Sequence, residues 1–98
     1  MSTQENKIYE KDIGTKIILD LKEDISIATI KRIHYKTPKG KTGIWEGVVD
    51  SNTNYLYYIT EENDLTGEGR WKLQAEIKMP DWHGKSETAT LVVSEKFK

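Results

Sequence analysis

The chain has 98 residues, enough for one domain with a single modest core and too few for two. Charged side chains make up 32% of it and nearly cancel, leaving a net charge of -1, so there is no basic footprint for nucleic acid or an anionic membrane, and neither is expected as a partner. Cysteine is absent, which excludes a disulfide framework and a thiolate metal site and leaves packing and backbone hydrogen bonds to hold the fold.

The opening MSTQENKIYEKD is polar where a secretory signal would carry an apolar run, and no later segment approaches the length of a membrane span. Folding in a cytoplasm is the expectation, with residues 1–12 as a flexible tail. Residues 15–21 place Ile17, Leu19 and Leu21 on one face and Lys16 and Asp20 on the other, a first strand whose alternation only Ile18 interrupts. Residues 28–37 also look extended, but Ile30, Ile33 and Tyr35 are spaced by three and then two, which one extra residue near Lys31, a β-bulge, would reconcile. Thr37-Pro38-Lys39-Gly40 has the proline and glycine of a tight reversal. Residues 42–49 form the next strand, with Trp45, Gly47 and Val49 sharing a face. Residues 50–54 turn the chain again, and residues 55–60, YLYYIT, read as a strand with both faces partly covered.

The cleanest alternation lies in DLTGEGRWKLQAEIKMP, residues 64–80. Trp71, Leu73, Ala75 and Ile77 share one face and Arg70, Lys72, Gln74, Glu76 and Lys78 the other, so a slip of one residue would exchange core and solvent. Pro80 ends this strand, residues 81–85 form a connecting loop, and residues 87–93 make the last strand with Ala89, Leu91 and Val93 inward. Residues 94–98 are expected as a second flexible tail. No stretch of ten residues has helical periodicity, so the chain is expected to be one all-β domain, an immunoglobulin-like antiparallel β-sandwich of six or seven strands. In such sandwiches the penultimate strand is entered by a tight corner, with a buried aromatic followed two positions later by another core residue. Gly67-Glu68-Gly69-Arg70-Trp71-Lys72-Leu73 has that layout, with Trp71 as the corner aromatic, Leu73 where antibody domains carry cysteine, and both glycines easing the turn and its approach to the opposite sheet. The expected core is Trp45, Trp71, Leu73, Ala75, Ile77 and Leu91.

Chemistry is sparse along the chain. Asp50, Asn52, Asn54 and Glu61 copy part of a calcium-loop spacing, but Tyr55 stands where that loop requires glycine and strand follows where it requires helix, so a hairpin turn is the better reading. His34 and His83 are far apart in sequence and are expected at the surface or rim; Glu61, Glu62 and Asp64 are expected in a solvated loop. No nucleophile, base and oxyanion donor form a recognisable set, and no catalytic residue, cofactor or metal is expected. The aromatics have more to offer. Tyr55, Tyr57 and Tyr58 cannot all enter one core, and Trp82 with His83 lies in a loop. Trp82, His83, Tyr55 and Tyr57 are therefore the candidate partner-binding residues, although exposed aromatics also cap small cores.

Residues 28–40 (ATIKRIHYKTPKG), Trp45 to Asp50, Tyr58-Ile59-Thr60 and Leu65 to Ile77 together resemble small immunoglobulin-like domains of tailed bacteriophages and are similar to the N-terminal domain of phage baseplate upper proteins. Lys39 stands where aspartate is usual in that pattern and Trp71 where tyrosine is. The resemblance spans most of residues 14–93 and rests on scaffold residues, so it implies no catalytic set. It implies a virion component, a structural, adaptor or decoration protein of tail or capsid, whose partners are other phage structural proteins or copies of itself. Two other expectations stand beside it: a carbohydrate-binding module holding a host-surface glycan, and a small phage-encoded inhibitor of a host defence enzyme.

Overall fold

The computed structural model describes residues 8–95. The strands are β1 (Ile8–Tyr9), β2 (Lys16–Asp20), β3 (Ile30–Lys36), β4 (Thr42–Glu46), β5 (Val48–Val49), β6 (Tyr55–Ile59), β7 (Gly69–Met79), β8 (Trp82–Lys85) and β9 (Ala89–Ser94), with no helix among the described residues. They form two sheets. One has the order β1-β9-β7-β3-β4, with β8 added to the far end of β7; the other has the order β2-β6-β5. All pairings are antiparallel except that of β1 with β9. The chain is an all-β sandwich, and its strand order is immunoglobulin-like: β9, β7, β3 and β4 run as G, F, C and C′, facing β2, β6 and β5 as B, E and D.

β7 is the spine of the larger sheet. Its first half pairs with β9, its last four residues pair with β8, and β3 runs along its other side. The expected face holds: Trp71, Leu73, Ala75 and Ile77 are 0%, 2%, 0% and 3% exposed. Ile33 of β3, Trp45 of β4, and Leu91 and Val93 of β9 join them from the same sheet, against Ile17, Leu19 and Leu56 of the smaller sheet. Ile25, Ala28 and Leu65 plug the core from connecting segments. At its centre Trp45 lies 4.8 Å from Tyr58 in a stacked arrangement and 4.7 Å from Tyr35, with Trp71 6.2 Å away. Offset aromatic packing of this kind adds attraction beyond area burial.

The corner into β7 forms through the indole. Trp71 Nε1 donates to the Gly67 carbonyl at 2.6 Å, tying the ring to the backbone four residues upstream as the tyrosine of an immunoglobulin corner does. The two glycines differ in role. Gly69 has φ +118°, and a Cβ there would lie 2.8 Å from Pro38 Cγ, whereas Gly67 has open space around it. Only Gly69 needs to be glycine, and the close neighbour is the β3–β4 turn of its own sheet, not the opposite sheet.

Several local expectations are corrected. Residues 42–49 are not one strand: the chain leaves the larger sheet after Glu46 and joins the smaller one at Val48, with Gly47 at the crossing, where a Cβ would come within 2.7 Å of Leu56 Cδ1. β3 has no bulge, since it pairs one-to-one with β7 from Ile30 to Lys36; Ile30 instead lies on the outer face at the strand's start. Residues 82–85 are not a loop but β8, a hairpin partner returned by the two-residue turn Pro80-Asp81. Residues 8–12 and Ser94 are not tail: Ile8–Tyr9 is a strand, the Lys11 amide donates to the Leu65 carbonyl, and Ser94 closes β9 with its carbonyl accepting from the Glu10 amide at 2.9 Å. The remainder of the expected tails, residues 1–7 and 96–98, lies outside the described residues. The described residues thus form nine strand segments where six or seven were expected, the additions being β1, β8 and the division of β4 from β5.

Candidate functional site

The four candidate partner-binding residues do not converge. Tyr55 and Tyr57 lie on the outer face of the smaller sheet. Trp82 and His83 are neighbours on β8 and so point to opposite sides of the larger sheet. Trp82 stands opposite Met79, on the core side, while His83 stands opposite Lys78, on the outer side.

The outer face of the smaller sheet is unusually apolar. Ile18 pairs with Tyr57 and Tyr57 with Val48, giving one row across all its strands; Lys16 with Ile59 and Asp20 with Tyr55 make the flanking rows. Ile18, Val48 and Ile59 are 46%, 48% and 43% exposed. Lys16 Nζ sits 4.5 Å above the Tyr57 ring and 3.3 Å from Asp50 Oδ1, so its cationic head covers one tyrosine without breaking the row. Polar residues normally occupy the wet face of such a sheet, and a contiguous apolar row there is the usual mark of an interaction surface. The sequence pattern showed part of it: Ile18 was the residue that interrupted the alternation of β2.

Glu76 is the centre of a second cluster, on the outer face of the larger sheet. His34 from β3 places Nε2 2.8 Å from Glu76 Oε1, and His83 from β8 places Nε2 2.8 Å from Oε2. Arg32 Nη1 approaches Oε1 at 4.0 Å, while its Nε donates to Glu46 Oε2 at 3.2 Å. The hydrogen bond from His34, then that from His83, holds the Glu76 carboxyl well below the usual carboxylate range, at about 2. The outer face of β7 therefore carries a cross-strand network, and the two histidines share one carboxylate. With both oxygens engaged by imidazole, Glu76 is held as an anion that joins three strands. Among the described residues, no group of three or more His, Cys, Asp or Glu side chains is arranged to hold a metal ion.

The acidic loop is also built rather than simply solvated. Asp64 Oδ2 accepts from the Tyr58 hydroxyl at 2.6 Å and from the Glu61 amide at 2.6 Å, closing residues 61–64 over the core edge. Burial, then this bond, pushes the Tyr58 ionisation well upward, so the phenol stays neutral and donating. Asn52 Oδ1 accepts from the Asn54 amide at 3.1 Å, and Asp50 Oδ1 accepts from Lys16, so the calcium-like string is a side-chain-capped hairpin turn.

An open groove of about 600 Å³ runs between the sheets beside β2, floored by Leu19, Ile25, Ile77 and Met79 and edged by Trp82 and Lys85. The Trp82 ring folds back over Gly84, where a Cβ would lie 2.5 Å from Cζ2, yet the residue remains 47% exposed. Compared with protein-family models, with curated proteins and with solved structures, the chain matches none.

Proposed function

We propose that this chain is a non-enzymatic interaction module, a structural, adaptor or decoration component of a tailed-phage particle that works by surface complementarity. The observation that carries the reading is the exposed row Ile18, Tyr57 and Val48 on a short, firmly backed sheet. A rigid apolar face with a charged margin suits a subunit contact, where a dry centre contributes affinity and the rim sets register. The phage setting comes from the resemblance in residues 14–93, which joins this fold to particle proteins. Mass spectrometry of purified virions tests it: the chain should be present in a fixed ratio to tail or capsid proteins, and its absence from intact particles would refute the assignment.

Trp82 favours a second reading. A half-exposed indole at the lip of an open groove can stack on a sugar ring, as a host-surface glycan would require. Glycan-array binding that disappears in Trp82→Ala supports this reading, and an array without hits removes it.

A further inference from the structure

Among the described residues five strands have a neighbour on one side only, and β8, four residues long, hangs on the end of β7. β1 and β5 are two residues long and offer little edge, while β2 and β4 have five residues each. β2 has a strand neighbour, β6, on one side only among the described residues. The Leu21 amide donates to the Asn54 carbonyl and the Thr60 amide to the Thr15 carbonyl, which sets the parity of the ladder. Ile17 and Leu19 turn their backbone groups toward β6, so Lys16, Ile18 and Asp20 turn theirs outward along the open edge. The side chains of these three are also the exposed ones, in the pattern exposed–buried–exposed–buried–exposed.

We propose that β2 pairs with the β2 strand of a second copy of this chain, antiparallel about a two-fold axis at Ile18. In that register Ile18 meets Ile18, and Lys16 of each copy meets Asp20 of the other. The outward amides and carbonyls of Lys16, Ile18 and Asp20 then bond reciprocally, and both charge pairs are of opposite sign. Opposite charges directly across an antiparallel pair are favourable and like charges unfavourable, so an edge protected against its own copy would carry one sign at both positions. This edge carries the reverse arrangement. The same construction on β4 about Ile44 sets the neutral Thr42 against Glu46 and gains no charge pair.

The dimer joins the smaller sheets into one, in the order β5-β6-β2-β2-β6-β5. It also joins the two apolar rows at Ile18, so that Val48, Tyr57 and Ile18 of one copy continue into Ile18, Tyr57 and Val48 of the other. The closed two-fold arrangement consumes both free β2 edges and stops at two copies. The inference rests on strand register and does not depend on the particle assignment: the dimer can fail while the chain is found in virions, and the reverse.

Sedimentation equilibrium of the purified full chain, across a concentration series into the high micromolar range, provides the test. The wild type should show a monomer–dimer equilibrium. Lys16→Asp alone, or Asp20→Lys alone, sets like charges opposite at both ends of the new ladder and should weaken dimerisation about tenfold or more. The double exchange Lys16→Asp with Asp20→Lys restores opposite signs and should recover the dimer. Lys16 also touches Asp50 and Tyr57, and Asp20 Oδ1 accepts from the Lys22 amide, but each residue's contacts are lost in its own single variant and in the double alike, so recovery isolates the pairing across copies. Far-ultraviolet circular dichroism confirms that each variant is folded. A wild type that stays monomeric throughout, single reversals that dimerise as the wild type does, a double exchange that fails to recover, or an equal loss in Ile44→Lys would each overturn the proposal.

Discussion

Two buried indoles carry the centre of this core, and their nitrogens are in opposite situations. Trp71 Nε1 is spent on the Gly67 carbonyl, whereas Trp45 Nε1 is buried without a hydrogen-bond partner among the described residues. Replacing a bonded donor leaves its acceptor unpaired, while replacing an unpaired donor removes a penalty; each effect is about 1–3 kcal/mol. Trp71→Phe should therefore destabilise the domain by clearly more than Trp45→Phe, although both remove similar volume. Urea unfolding of the two variants decides it, and equal midpoints would show that the corner bond contributes nothing. The glycines before Trp71 make a parallel pair. Gly69→Ala forces a side chain into φ +118° and against Pro38, at a cost of roughly 1–3 kcal/mol. Gly67→Ala meets open space and should stay within about 0.5 kcal/mol of the parent. Similar losses in both would mean that the turn needs two glycines, as the sequence by itself suggested.

At the scale of strands, legibility depended on whether neighbouring faces differ. β7 separates core from solvent at every step, so its register was readable from residues 69–79 alone. β8 was not, because a two-residue turn after Pro80 and a four-residue strand containing Gly84 look like loop chemistry. The break at Gly47 was equally hidden: an extended chain that moves from one sheet to the other keeps its alternation, and alternation does not say which strand the backbone bonds to. The Glu76 network needed three strands in register, β3, β7 and β8, and no local pattern encodes that. Its consequence is a pH dependence. The folded protein binds a proton at Glu76 less readily than the unfolded chain, so the network's stabilisation is complete above the ordinary carboxyl value of 4.5. It fades as pH falls from there toward about 2. Glu76→Gln has no such proton to bind, so the stability gap between wild type and variant should narrow over that window. Unfolding midpoints measured from neutral pH down to the acid limit of folding provide the comparison; a gap that stays constant would mean that the two histidine bonds do not hold the carboxylate.

Across the whole molecule, the two faces of the smaller sheet do different work, and β6 carries both. Leu56 is wholly buried beneath Gly47 and against the core, while Ile59, three residues on, is 43% exposed on the outer row. The inward face was legible because it obeys the core pattern. The outward face was legible only as a surplus, too many tyrosines and one misplaced isoleucine, since a fold does not require apolar residues there. That surplus separates binding from stability. Leu56→Ala should cost about 2–5 kcal/mol through the cavity it leaves. Val48→Thr with Ile59→Thr removes apolar surface that the folded monomer leaves in water, so the pair should shift stability by no more than about 1 kcal/mol. If this face is the one that meets a partner, the same pair should abolish capture of virion proteins in a pull-down while the unfolding midpoint holds. Retained capture would move the binding surface to the groove beside Trp82, and a large loss of stability would mean that the outer row is needed by the sandwich itself. Because Val48 sits on β5, with β6 between it and β2, Val48→Thr alone leaves the Lys16 and Asp20 edge intact, whereas Ile59 stands directly opposite Lys16. Self-association and partner capture can then be lost independently, the first through the strand edge and the second through the sheet face.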